Sequence, residues 1–112
     1  MKLVVYVMHN TSKLDDFLHL LKEQNIKGAT ILKGTGMARK LIENDDMDFI
    51  GSLKTLFDNP RIESNVILMA LEDEQVPIAI AAVKQVAGDL TQPNTGIVFT
   101  VPIDYIEGFK KN

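Results

Sequence analysis

Apolar residues along the chain recur with two periods, one of two residues and one close to 3.6. Lys2 to Met8 (KLVVYVM) is short, rich in Val, and bounded by the turn-forming His9-Asn10, which predicts a first strand. Leu3, Val5 and Val7 point one way and Val4, Tyr6 and Met8 the other, so both faces are apolar, as in a central strand covered on both sides. Leu14, Phe17, Leu18 and Leu21 then follow the i, i+3, i+4, i+7 spacing of an amphipathic helix. It opens on a capping-box-like Ser12 and Asp15 and is expected to end near Gln24 or Asn25. Lys27-Gly28 turns the chain into a second strand, Ala29 to Lys33, closed by Gly34-Thr35-Gly36. Glu63 to Leu71 contains NVILMAL, again apolar on both faces and again read as a central strand. Asp73 or a near neighbour is expected to cap a second helix, with Pro77 tolerated in the first turn and a core stripe of Ala79, Ala82, Val83, Val86 and Leu90. Gly88 to Gly96 is a polar, turn-rich loop. Ile97 to Ile103 (IVFTVPI) reads as the last strand, placed at an edge or ended by Pro102, which has no N–H to donate.

The order is β, α, β, long excursion, β, α, β within one domain spanning residues 1–112. This is the split βαβ pattern of a ferredoxin-like α+β sandwich with an antiparallel sheet. Strands 1 and 3 then lie in the middle and both helices cover one face, which leaves the apolar underside of those strands to be covered by something else. The simplest cover is a second copy of the sheet, giving a homo-oligomer; the alternative is that part of the excursion folds underneath. That excursion, Met37 to Ile62, exceeds the roughly 12 to 15 residues of an ordinary loop. Leu41, Ile42, Met47, Phe49, Ile50, Leu53, Leu56 and Phe57 make it too apolar for a disordered tract, and Ile50, Leu53 and Phe57 share one helical face. Two readings stand: an arm that docks on a partner or folds over a ligand, and a short extra helix packed on its own sheet.

Composition narrows the function classes. With 46% hydrophobic and 24% charged residues the chain can bury a core. A net charge of −3 leaves no broad positive field for a phosphate backbone, so no nucleic-acid partner is expected. Cysteine is absent, which removes disulfides, thiolate metal sites and a cysteine nucleophile. No apolar run approaches a membrane span, and a cytoplasmic location with no membrane insertion is the default expectation.

Two stretches together resemble a known family. Lys27 to Arg39 (KGATILKGTGMAR) resembles the second strand and the start of the long T-loop in PII-type (nitrogen-regulatory) signalling proteins, which run G-x-T, a few apolar residues, then K-G-x-G. Asn94 to Ile103 (NTGIVFTVPI) resembles that family's last strand. The resemblance covers most of the chain apart from Leu41 to Pro60. It implies a homotrimer with sheets facing inward and three clefts between subunits that bind adenine nucleotides or related small effectors. The T-loop, here 37–62, would then grip or release a target protein such as an enzyme or transporter. By position, the implied ligand-facing residues are Gly34, Thr35, Gly36, Met37 and Arg39 at the T-loop base, with Gly88, Asp89 and the stretch from Thr91 to Thr95 in the B-loop. The chain departs from the family in that loop 88–96 has no Lys or Arg, the tail offers only Lys110 and Lys111, and no Tyr lies in the arm. A triphosphate would thus lack partners for several of its charges.

Other chemistry is thinner. Gly34-Thr35-Gly36 with Lys33, Arg39 and Lys40 suits an anion but lacks P-loop spacing, and glycines at a turn needing φ > 0 give the same pattern. Asp15 and His19 stand four apart on the first helix without a third metal ligand in view, and His9 reads as a turn residue. Glu43, Asp45, Asp46 and Asp48 match no EF-hand spacing. No spacing argues for a nucleophile-base pair, and an acylphosphatase-like activity would need an Arg where His9-Asn10-Thr11 stands, so no enzyme is expected. The alternative to a PII-like sensor is a divalent-metal-binding trimer similar to cation-tolerance proteins, holding Cu²⁺ or Zn²⁺ through His9 or His19.

Overall fold

The computed structural model describes residues 1–37, 40, 63–93 and 95–109. Within them the elements are β1 (Lys2–Met8), α1 (Leu14–Glu23), β2 (Thr30–Thr35), β3 (Glu63–Leu71), α2 (Val76–Ala87) and β4 (Gly96–Pro102). The four strands form one antiparallel sheet in the order β2-β3-β1-β4. An α+β fold with two helices and this strand order is compatible with a ferredoxin-like sandwich. β1 and β3 occupy the centre, and β4 is an edge ending on Pro102, as the missing N–H requires.

The core lies between the helices and one face of the sheet. Val4, Tyr6 and Met8 of β1 stand beside Ile67, Met69 and Leu71 of β3, all of them buried. Phe17 and Leu21 close the core from α1, and Val76, Ala79, Ala82 and Val83 from α2. Tyr6 meets Phe17 edge-to-face at 5.2 Å between ring centres, a geometry that adds about 1 kcal/mol to the burial of the two rings. The expected α2 stripe is seated as predicted at Ala79, Ala82 and Val83. Val86 and Leu90 are partly buried against the same cluster, Leu90 from the loop beyond the helix.

Local starts and stops differ from the expectation in three places. Both helices are entered through a short 3-10 turn, Thr11–Lys13 before α1 and Asp73–Gln75 before α2, and neither has a side-chain cap. Ser12 Oγ donates instead to Asn10 Oδ1 at 2.6 Å, and Asp73 accepts from the Met1 ammonium at 2.7 Å. β2 does not stop at Lys33: Gly34 and Thr35 continue it opposite Ser64 and Glu63. Gly34 is therefore a strand residue, and a Cβ there would stand 2.8 Å from Ser64 Oγ, so close packing is what its small size serves.

The second face of the sheet carries an apolar grid, with Gly108 and Phe109 of the tail beside Leu3, Leu68 and Ala70 at one end of it. Val7 pairs in register with Val66 and Ile97, Val5 with Leu68 and Phe99, and Leu3 with Ala70 and Val101. Leu32 extends the grid opposite Val66. Phe99 is 46% exposed and Ile97 54%, although each lies in a strand facing the same way as its apolar neighbours. Residues 41–62, which hold the apolar arm, are outside the described residues.

Gly96 starts β4 at φ +122, and an added Cβ would overlap the carbonyl oxygen of Val7. Backbone strain and overlap act together there, so Gly96→Ala should lower the unfolding free energy by about 3 kcal/mol, read from urea denaturation. The same change at Gly28, where an added Cβ meets nothing within 4 Å, should leave stability almost unchanged.

Candidate functional site

The expected site residues divide into two groups at one end of the sheet. At the end of β2, Gly34 and Thr35 lie within the strand, while Gly36 and Met37 leave it, Met37 being 74% exposed. Lys40 N–H donates to the Gly36 carbonyl at 3.3 Å. Arg39 lies outside the described residues. The second group is the loop between α2 and β4. Gly88 leaves the helix at φ 76, and its N–H donates to the Lys84 carbonyl at 2.9 Å.

Asp89 organises that loop. Its Oδ1 accepts from the Thr91 hydroxyl at 2.6 Å and from the Thr91 N–H at 2.9 Å, and the Gln92 N–H reaches the Asp89 carbonyl at 3.1 Å. The Thr95 hydroxyl donates to the Gln92 carbonyl at 2.9 Å. Hydrogen bonds from the Thr91 hydroxyl, then from its N–H, hold the Asp89 carboxyl below the usual carboxylate range. Both threonine hydroxyls are thus spent within the loop, and its carboxylate is ionised at neutral pH. With no Lys or Arg between Gly88 and Gly96, the loop is a poor cradle for polyphosphate.

The register shows how far apart the two groups are. Lys33 stands opposite Asn65, Asn65 opposite Met8, and Met8 opposite Gly96, so the base of the arm and the loop before β4 share one end of the sheet. They occupy opposite edges, three interstrand spacings or roughly 14 Å apart. One subunit does not bring them into a common pocket.

No protein-family model matches this chain, and no curated protein matches it.

A concavity of about 490 Å³ that was not foreseen from the sequence lies at the other end of β2, roughly 17 Å along the strand from Thr35. Its walls are the 25–30 segment entering β2, Leu68 and Ala70 on the apolar grid, and Phe109 from the tail. None of the expected ligand-facing residues lines it. The signal that was available is Asn25, which adopts φ 62, followed by Lys27-Gly28, a chain reversal that draws the backbone away from β3 before pairing starts at Thr30.

His19 is exposed on α1 and His9 is half-buried after β1. Among the described residues no three His, Asp or Glu side chains come together as a metal site. Among them, too, no helix is long and apolar enough to cross a membrane.

The Asp89 carboxyl is held down in the folded loop, so it contributes order above its ordinary range, and that contribution disappears as pH falls through the lowered value. The Thr91 amide should keep a constant hydrogen-exchange protection factor at neutral pH and lose it at acid pH. Asp89→Ala should reduce that factor several-fold at pH 7 and remove its acid dependence.

Proposed function

We propose that this chain is the subunit of a PII-like homotrimeric signalling protein, which binds a small effector between subunits and contacts a target protein through residues 37–62. The observation that carries the reading is the apolar grid of β1, β3 and β4 on the face away from the helices. Leu3, Val5, Val7, Val66, Leu68, Ile97, Phe99 and Val101 form a plane of roughly 14 by 17 Å, or about 240 Å². Apolar side chains gathered in one contiguous patch, rather than scattered singly, are where interaction surfaces of soluble proteins are found. Sheets packed face to face around a closed symmetry axis would bury it on every copy.

The same assembly accounts for the split site. Gly34, Thr35, Gly36 and Met37 sit at one edge, and Gly88, Asp89, Thr91 and Thr95 at the other. A neighbouring copy is what sets one group against the other. An adenine nucleotide is the effector that the resemblance of Lys27 to Arg39 and Asn94 to Ile103 to PII-type proteins implies. The chemistry of loop 88–96 argues for its less charged forms over the triphosphate.

Sedimentation at micromolar concentration should show a single trimeric species, and Phe99→Glu should convert it to folded monomer by placing a charge in the buried plane. Calorimetry with adenosine, AMP, ADP and ATP should find affinity in the trimer and none in the Phe99→Glu monomer. A stable wild-type monomer that binds no fluorescent apolar dye would overturn the reading.

A further inference from the structure

We infer that the hollow beside the entry to β2 takes an extended peptide segment of a partner protein, which adds a short strand to the outer edge of β3. The sheet has a gap there. β1 pairs with β3 from Met8 opposite Asn65 to Lys2 opposite Leu71, whereas β2 pairs with it only from Thr35 opposite Glu63 to Thr30 opposite Leu68. Met69, Ala70 and Leu71 thus have a strand on one side and, among the described residues, none on the other. The concavity of about 490 Å³ occupies that place: Leu68, Ala70 and Leu71 wall it on the β3 side, and Gly28, Ala29 and Thr30 stand across from them.

The chain that enters β2 holds this gap open. Ile26 is buried in the core and its N–H donates to the Leu21 carbonyl at 2.8 Å, so the reversal at Asn25 is tied to α1 and not to β3. From Ile26 to Ala29 the backbone joins no strand, and a Cβ added at Gly28 meets nothing within 4 Å. Successive residues of a strand turn their N–H and C=O groups to alternate edges, so at least one residue of Met69 to Leu71 offers both groups to the gap. An open edge of that kind pairs with an incoming strand, whose main chain supplies affinity and whose alternate side chains supply specificity. The edge is only three residues, about 10 Å, and is closed at one end by Thr30. It fits a short segment, not the six or seven residues of β2 or β4 from another copy.

The walls set the chemistry of that segment. Met69 and Leu71 point into the core and are buried, whereas Ala70 lies on the face of the apolar grid. A residue set opposite Ala70 lies on that same face, beside the small methyl group that leaves it room. Leu3, Leu68 and the half-buried Phe109 of the tail close round the position, which suits one bulky apolar side chain. Asn25, Thr30 and Gln75 add uncharged polar groups, which suit hydroxyl or amide residues on either side. The segment is thus an extended stretch with an apolar centre and polar, uncharged flanks.

The test is an NMR titration of the full, isotope-labelled chain with the capped pentapeptide acetyl-Ser-Thr-Phe-Thr-Ser-amide. Amides of Gly28 and of Leu68 to Leu71 should shift saturably, and exchange of the gap-facing amide within Met69 to Leu71 should slow about tenfold at saturation. Replacing the central Phe of the peptide by Gly, or N-methylating all its backbone amides, should each weaken binding about tenfold. Phe109→Ala, in the tail outside the sheet, should weaken it several-fold with the fold intact. Phe99→Glu should bind as the wild type does, because the gap is complete within one copy. Absence of shifts at Met69 to Leu71, equal binding of either altered peptide, unchanged affinity in Phe109→Ala or lost binding in Phe99→Glu would overturn the assignment. So would slow exchange of all three amides in the free chain, which would mean that a strand of this chain or of another copy already fills the gap.

Discussion

Alternation in β1 governs this molecule. A strand places successive side chains on opposite faces, and β1 is apolar at every position from Leu3 to Met8, so a core on one side leaves an equally apolar row on the other. Val4, Tyr6 and Met8 meet α1 and α2 and define the folded subunit. Leu3, Val5 and Val7 then have no choice of direction: register with β3 and β4 lines them up with Leu68, Val66, Phe99 and Ile97. A slip of one residue would exchange the two sets without relieving either face. The alternation that fills the core thus also fixes which apolar side chains the other face of the sheet carries.

Much of the fold was legible because the periods were clean. β1 and β3 match their expected limits, the stripe of α2 packs at Ala79, Ala82 and Val83, and Pro102 marks an edge. Errors gathered where a residue type serves two purposes. Ser12 and Asp73 read as helix caps, yet 3-10 entries offered other partners, Asn10 for the first and the Met1 ammonium for the second. Gly34 read as a turn residue, while its use is to let β2 lie close to Ser64, a tertiary contact that no local pattern reveals.

The site was less legible than the fold, for a geometric reason. The resemblance named two loops, and sheet order alone decides whether they meet. With β3 and β1 between them they do not, within one copy. The hollow beside the entry to β2 is also lined by residues that look ordinary in sequence, among them the reversal at Asn25. What sets it apart is which segments converge, and that is decided by the sheet and not by any local pattern. Asp89 illustrates the opposite case, since a carboxylate in a presumed binding loop turns out to spend its acceptor on Thr91.

Pro102 has a consequence beyond ending β4. An edge strand is a template for endless growth, because its outer row of donors and acceptors matches any incoming chain. The proline interrupts that row at the end of the strand, and on the opposite edge Lys33 sets a charge beside any newcomer. Fibrillar stacking is therefore discouraged at both rims, which leaves the apolar plane between them as the face on which a contact does not propagate strand by strand.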